Sequence, residues 1–498
     1  MKLLIFLMMA AFACAGNSVL LIIADDYGVD AQSLYNPGGT TAPTPNINGL
    51  AAGGVRFTQA YACPVCSPTR AAILTGRYGF RTGVGDVVSA ASALTAAELT
   101  LPEIITQNGQ LGISAASFGK WHLSGGSATS VRNFPNTIGG WPHYAGATSG
   151  VLGDYMSWQK TTNGVISTSL TYATSDVVND AVAWITEKNQ NGGKWLAWVA
   201  FNAPHTPFHV PPVNLHSYGA NLGSNSLKYR AAVEAMDTEI GRLLAAVNPA
   251  TTDVIFIGDN GTPGQVVQTP YDSAHAKGSL YEGGTRVPII IKGPSVSAGG
   301  RTDGSLVHVV DLFSTLLEMA GVPVPATLVH DSKSLLPILA NQGDDTRSRL
   351  YLELFDASAA SVGGRALRDD RYKLIRLNTG VDQFFDLLES GEDSTNLLVN
   401  GVGAMTATRQ AHYYRLRFDL GGYTSGAVVS PLRYSRSESE FSLVVAEDSG
   451  VSQTLWQSED LDFWVPVSNA APSVGQGELR FSVPFAEVGK GFFSVLSE

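Results

Sequence analysis

Cysteine is scarce in this chain: 498 residues contain three, Cys14, Cys63 and Cys66. That excludes a disulfide framework, and without a second thiol pair or suitably spaced histidines it excludes a zinc site. Positive charge is also short. With 32 Lys and Arg against 43 Asp and Glu, the formal net charge is −11, which argues against general binding to nucleic acid or an anionic membrane. An anionic substrate stays open, because a few local cations can dominate a pocket. Repeats of roughly 20–50 residues and low-complexity tracts are absent. Past the N-terminus no apolar run approaches the roughly 20 residues that a membrane-spanning helix needs. Apolar content of 44% and charged content of 15% describe an ordinary globular protein.

The N-terminus reads MKLLIFLMMAAFACAGNS. Lys2 supplies a positive start, Leu3 to Ala13 an apolar stretch, and Ala13-Cys14-Ala15 a small-residue cleavage site. Residues 1–15 are therefore expected to be a secretory signal, and the protein to be exported, periplasmic or secreted. A first core strand is the competing reading, set aside because Gly16-Asn17-Ser18 breaks the run. Cys14 as a lipid acceptor, and with it a surface lipoprotein, is disfavoured because Ala11-Phe12-Ala13 matches the usual preceding residues poorly. Loss of the signal leaves Cys63 and Cys66 in a Cys-x-x-Cys spacing. A redox pair would open a helix in a thioredoxin-sized βαβ unit, and nothing else here suggests one.

Short apolar runs alternate with helical patterns. Strands are expected at Ser18–Ala24 (SVLLIIA), Ile113–Phe118, Trp195–Phe201, Asp253–Gly258 and Val287–Ile291. Helices are expected at Leu101–Asn108, Ser175–Lys188, Leu227–Val247 and Val309–Ala320. This alternation predicts an α/β fold with a large, mostly parallel, doubly wound sheet flanked by helices. Around Arg365–Glu389 the pattern changes to a small antiparallel sheet. From residue 426 on, aromatic-rich strand candidates without helical period suggest an appended all-β module. The expected division is 16–345, a catalytic α/β domain; 346–425, an antiparallel subdomain; and 426–498, the β-rich module. Trp456, Phe463 and Trp464 of that module are either a sugar platform or strand core.

In a parallel sheet, ligands bind beyond the carboxyl ends of strands. The first strand runs into Asp25-Asp26 and the fourth into Asp259-Asn260. An isolated Asp-Asp is often a solvated turn, but two such ends offer hard oxygen ligands of the kind Ca²⁺ or Mg²⁺ requires. Lys120 and His122 follow the second strand, two apart and so pointing the same way. His205 follows the third, between Pro204 and Pro207 in a stiffened turn. Lys277 precedes GSLYEGGTRVP, before the last strand. Each alone could be a surface lysine or a partly buried histidine. Together they describe a metal-assisted site for an anion that still needs a nucleophile.

Cys66-Ser67-Pro68-Thr69-Arg70, followed by Leu74-Thr75-Gly76-Arg77, closely resembles the signature of type I sulfatases, members of the alkaline-phosphatase-like superfamily. ADDYG, GKWHLSG, APHTPF, GDNG, KGSLYEGGTRVP and VVDLFSTLLEMAGV resemble further family blocks, in family order, over about residues 18–398. The resemblance implies that a formylglycine-generating maturation enzyme oxidises Cys66 to Cα-formylglycine, whose hydrate is nucleophile and metal ligand. It implies that Asp25, Asp26, Asp259 and Asn260 hold a divalent cation, calcium rather than magnesium, and that Arg70 orients the formylglycine. Lys120 and Lys277 would bind sulfate oxygens, His122 would act as base, and His205 with Lys277 would protonate the leaving alcohol. The substrate class implied is a sulfated carbohydrate. His275, His209, Trp141 and His143, the last two on the loop Gly139–Gly150, are expected as substrate contacts. A phosphonate or phosphate monoester hydrolase of the same superfamily is the enzymatic alternative, and a secreted calcium-stabilised glycan-binding protein the non-enzymatic one.

Overall fold

The computed structural model describes residues 16–343, 347–355, 363–390 and 392–424, and beyond those the strand backbones between residues 433 and 497. The expected signal at 1–15, including Cys14, lies outside the described residues, as do the side chain of Trp456 and residues Phe463 and Trp464. The chain divides into two compact units, residues 1–347 and 348–498.

The first unit is built on ten strands: β1 Ser18–Ala24, β2 Val55–Tyr61, β3 Ile113–Gly119, β4 His143–Gly146, β5 Trp158–Thr162, β6 Val165–Ser169, β7 Lys194–Ala200, β8 Thr252–Gly258, β9 Ile289–Lys292 and β10 Arg301–His308. Their order in one sheet is β10-β2-β9-β8-β1-β7-β3-β4-β5-β6. The run β8-β1-β7-β3-β4 is parallel throughout, while β9 pairs antiparallel with both its neighbours. β1 explains the arrangement. It is apolar at nearly every position and buried at all of them, as a strand must be when helices cover both faces. Leu20, Ile22 and Ala24 enter a core shared with Val177, Ile185, Val233 and Ile240, from the helices Ala173–Gln190 and Asn225–Leu244. Val19, Leu21 and Ile23 are equally buried, and the helix Leu312–Met319 packs against both β1 and the helix Cys66–Thr75. Cys66–Thr75 stops at Gly76, whose φ of 71° is the left-handed C-cap that glycine accepts without strain.

The α/β fold with a mostly parallel sheet is thus as expected. Two of the expected elements differ in kind. The strand expected at Val287 is the short antiparallel Ile289–Lys292, and Val309–Ala320 opens with a 3₁₀ turn at Val309–Asp311 before its α-helix.

The second unit holds a four-stranded antiparallel sheet, β11 Leu350–Leu354, β12 Gly364–Arg368, β13 Tyr372–Leu377 and β14 Asp382–Asp386. The helix Ala407–Thr424, which the sequence reading lacked, follows it. Beyond it the backbone forms a four-stranded and a three-stranded sheet. No helix among the described residues is long and apolar enough to cross a membrane.

Candidate functional site

Four strands adjacent in the sheet, β8, β1, β7 and β3, deliver the polar residues to one point. Their last residues are level: Ala24 lies opposite Gly258, and Gly119 opposite Ala200. Gly119 allows the tight turn, having φ 90° and no room for a Cβ, which would stand 1.9 Å from the Ala200 carbonyl oxygen. The chain then enters the pocket as Lys120, whose N–H donates to that carbonyl at 2.8 Å. The helix Cys66–Thr75 aims its first residue at the same point.

Asp25, Asp26, Asp259, Asn260, Cys66, Arg70 and Lys120 are buried, each at most 1% exposed, and His122 and His205 nearly so at 8%. Burying this much charge requires pairing. Lys120 Nζ lies 2.5 Å from Asp25 Oδ2, Arg70 Nη2 2.7 Å from Asp259 Oδ2, and Lys277 Nζ 2.5 Å from Asp26 Oδ1. Arg70 Nη1 also donates to the Lys120 carbonyl at 2.9 Å. His205 Nε2 stands 3.6 Å from Asp26 Oδ2. Three carboxylates thus face three cations. Cys66 Sγ meets His122 Nδ1 at 3.0 Å, and Ser67 Oγ holds the His122 carbonyl at 2.9 Å. Of five non-glycine residues with positive φ among the described residues, two are Asp26 (65°) and His122 (52°). Such backbone costs about 1–3 kcal/mol per residue and concentrates at functional sites.

Electrostatics separates the carboxylates. Burial would raise Asp25, but Lys120, His205, Arg70 and Lys277 hold it well below the usual carboxylate range. Asp259 goes the other way, pushed up to about 7 by burial and the Asp25 charge against the pull of Arg70. Burial raises the Cys66 thiol; burial, Lys120 and Arg70 keep His122 well below its ordinary value. Lys277 is raised despite burial, because Asp26 faces it.

The donor set fits a hard divalent cation. Ligand atoms of Asp25, Asp26 and His205 lie within 4.8 Å of one another, as do those of Asp25, Cys66 and Asp259. Two buried acceptors here, Asp25 Oδ1 and Asn260 Oδ1, have no hydrogen-bond partner. Asn260 Nδ2 is engaged with Asp26 Oδ1 at 2.8 Å and the Gly261 carbonyl at 3.0 Å, which leaves its oxygen available. Buried acceptors without donors are costly, and a cation among them removes that cost.

All the expected catalytic and metal residues meet here, although Lys277 comes from the long β8–β9 connection rather than a strand end. A cleft of roughly 560 Å³ opens beside them, lined by Asp26, Val65, His205, Thr206, Pro263, Gly264, Gln265, Ser273, Lys277 and Gly278. The four expected substrate contacts are placed less directly. His209 stacks on Tyr155 at 3.8 Å and meets Tyr172 Oη at 3.1 Å, with its pKa lowered to about 4 by burial. His275 lies over Tyr281 at 3.9 Å, two residues before Lys277. Trp141 is buried edge-on against Trp198, and His143 packs on Phe118 and lines a separate cleft with Trp184 and Lys188; the structure brings neither to the site. Supports that sequence reasoning missed are Tyr155, whose Oη donates to the Asn202 and His205 carbonyls at 2.5 and 2.8 Å, and Tyr229, which donates to the Asp26 carbonyl at 2.7 Å. A lone tyrosine in a loop or a helix carries no signal of such a role.

The sulfatase family profile matches residues 17–322, well over half of the chain. The chain belongs to the sulfatase family. The profile for the C-terminal part of N-sulphoglucosamine sulphohydrolase matches residues 273–411 of this sulfatase. Arylsulfatase G of Rattus norvegicus is 27% identical over 416 residues, covering 73% of this chain and 76% of that protein. N-acetylgalactosamine-6-sulfatase of Sus scrofa is 27% identical over 382 residues, 70% of each. Among solved structures, Ps i-CgsB in complex with k-i-k-neocarrahexaose superposes with a TM-score of 0.71 at 21% identity, covering 82% of this chain and 93% of that one. The PsFucS1 sulfatase from Pseudoalteromonas sp. gives 0.65 at 20%, covering 83% and 92%. The enzyme is therefore a sulfate-ester hydrolase with the fold of its relatives.

Proposed function

We propose that this sulfatase removes sulfate from a sulfated carbohydrate outside the cytoplasm, with Cys66 oxidised to formylglycine by a maturation enzyme and calcium held by Asp25, Asp26, Asp259, Asn260 and position 66. The observation that carries the reading is the Cys66–His122 contact of 3.0 Å inside the buried carboxylate cluster. A buried thiol with a raised pKa is a poor nucleophile, so the position makes more chemical sense once converted. The aldehyde hydrate supplies two hydroxyls, one to displace the alcohol at sulfur and one whose deprotonation lets the carbonyl reform as sulfate departs. A bound divalent cation would neutralise charge on the sulfate oxygens.

The side chains divide the remaining work. His122 Nδ1, neutral because burial and two cations disfavour its proton, accepts the proton of the second hydroxyl. His205 Nε2 and Lys277 Nζ, both at the cleft and both against Asp26, deliver a proton to the departing alcohol oxygen. Lys120 and Lys277 hold sulfate oxygens where charge develops. Arg70 pulls Asp259 toward its ionised form, against burial and the Asp25 charge. The carbohydrate class draws support from solved relatives of the same fold bound to k-i-k-neocarrahexaose and to D-glucosamine-2-N,6-O-disulfate. We place catalysis in residues 16–345 and the accessory roles in 346–425 and 426–498, with residues 1–15 removed on export.

The test is mass spectrometry of the Cys66 peptide from protein co-expressed with a formylglycine-generating enzyme, together with sulfate release from an aryl sulfate. Aldehyde at position 66, turnover lost on calcium chelation and in Cys66→Ala, and chelator sensitivity sharpened in Asn260→Ala are expected. An unconverted cysteine in an enzyme that still cleaves the ester would sink the mechanism. Conversion with turnover of phosphonate or phosphate esters alone would favour the other superfamily chemistry.

A further inference from the structure

The catalytic cleft is lined largely by apolar surface and, among the described residues, is poor in positive charge. Its deep lining includes Asp26 and His205, and Lys277 is the one lysine or arginine among the described lining residues, already 2.5 Å from the Asp26 carboxylate. The outward-facing polar residues are Gln265 and Ser273, both exposed and both uncharged; the Thr206 hydroxyl is engaged with His205 Nδ1 at 3.3 Å. Next to Ser273 in the chain is Asp272, negative and 66% exposed at its side chain, with His275 Nδ1 at 3.7 Å. His209 feels both the positive charge of Lys228 and the negative charge of Asp154. The whole chain adds its −11.

Resting on the sulfatase reading above, we infer that the site takes a sugar carrying a single sulfate with uncharged neighbours, its hydroxyls read by Gln265 and Ser273, rather than a polysulfated or uronate-containing chain. The sulfate being cleaved finds its cations at the floor. A second sulfate, or the carboxylate of an adjoining uronate, would sit at the mouth, where no further lysine or arginine is among the described lining residues and Asp272 adjoins Ser273. A carboxamide and a hydroxyl each donate and accept, as sugar hydroxyls do, and neither compensates an anion. One uncompensated like charge at roughly 7 Å in a partly solvated cleft lowers relative kcat/KM by about tenfold, and added salt should shrink that penalty.

The experiment compares kcat/KM of the converted full-length enzyme on three synthetic glycosides: a singly sulfated neutral sugar, its disulfated analogue, and the same monosulfated sugar linked to a uronate. An aryl sulfate serves as the common reference. Preference for the neutral monosulfate by about tenfold, narrowed at high salt and narrowed again in Gln265→Lys and Ser273→Lys, is the expected result. Equal or better turnover of the disulfated or uronate substrate would overturn this inference while leaving the sulfatase reading intact. Unchanged ratios in both lysine variants would remove Gln265 and Ser273 from any part in selectivity. Failure to cleave every ester, the aryl sulfate included, would overturn both readings together.

Discussion

Gly150→Ala is the sharpest perturbation the structure offers of the proposed base. A Cβ at position 150 would stand 2.2 Å from His122 Nε2 and 2.3 Å from Cε1. Ordinary contact begins at 3.4 Å, so the ring must retreat by 3.4 − 2.2, or about 1.2 Å. The opposite nitrogen of that ring is the one 3.0 Å from Cys66 Sγ. Gly150 is not in the left-handed region, so the added methyl acts through the ring and not through backbone strain. A displacement of about 1 Å at a catalytic group can cost around 100-fold, or about 2.7 kcal/mol in activation free energy. The assay is kcat for aryl sulfate release, corrected for the fraction of position 66 converted, with thermal unfolding alongside. Gly153→Ala is the control, because a Cβ there meets nothing within 4 Å. A fall of about 100-fold in kcat at position 150, with little change at 153 and little change in Tm for either, is expected. A Gly150→Ala enzyme within threefold of wild type would refute the claim that His122 is pinned against the nucleophile by this loop.

Two more outcomes follow from the buried charges. Arg70→Met removes the partner of Asp259, both side chains being 0% exposed; it should cost about 3–5 kcal/mol in denaturant unfolding with chelator present, and less with calcium. An equal cost under both conditions would mean that Asp259 does not face the ion. Asp30 is fully buried, accepting from Thr262 Oγ1 at 2.7 Å and the Gln268 N–H at 3.0 Å, and burial lifts its pKa from 3.8 to about 6. Its folded form therefore holds a proton more tightly than its unfolded form, so its share of stability is full below about pH 4 and is lost as pH rises to about 6. The span is about 3 kcal/mol, and Asp30→Asn should flatten that part of the stability–pH curve. A wild-type-like slope in the variant would show that Asp30 ionises normally.

The parts of the fold that were legible in sequence are those where one physical rule dominates. SVLLIIA could only be a strand buried on both faces, and Ser18–Ala24 is that strand to the residue. The helices Ala173–Gln190 and Asn225–Leu244 showed their period because one flank packs on the sheet and the other meets water. Strands β5 and β6 were missed because half-exposed segments such as Trp158–Thr162 and Val165–Ser169 bury too little to pattern their composition. Val55–Tyr61 was missed for a related reason: three of its seven positions are only partly buried, so its polar residues diluted the apolar signal. The helix Ala407–Thr424 carries aromatic and charged residues around its circumference, with only Tyr413, Leu416 and Leu420 deeply buried among those described.

The site divides along a different line. Its reactive side chains were legible because each sits just past a buried apolar strand or in a motif, and chemistry needs particular side chains at those points. Its supports were not, because they act on backbone atoms. Tyr155 holds two carbonyls of the His205 turn and Tyr229 holds the carbonyl of Asp26; Gly150 contributes only the absence of a methyl. A carbonyl accepts from any donor, so nothing in the local sequence marks which residue will reach it. The expectation that the loop Gly139–Gly150 serves the site illustrates the difference. Trp141 and His143 pack elsewhere, and the residue that reaches His122, the proposed base, is the terminal glycine, which has no chemistry of its own.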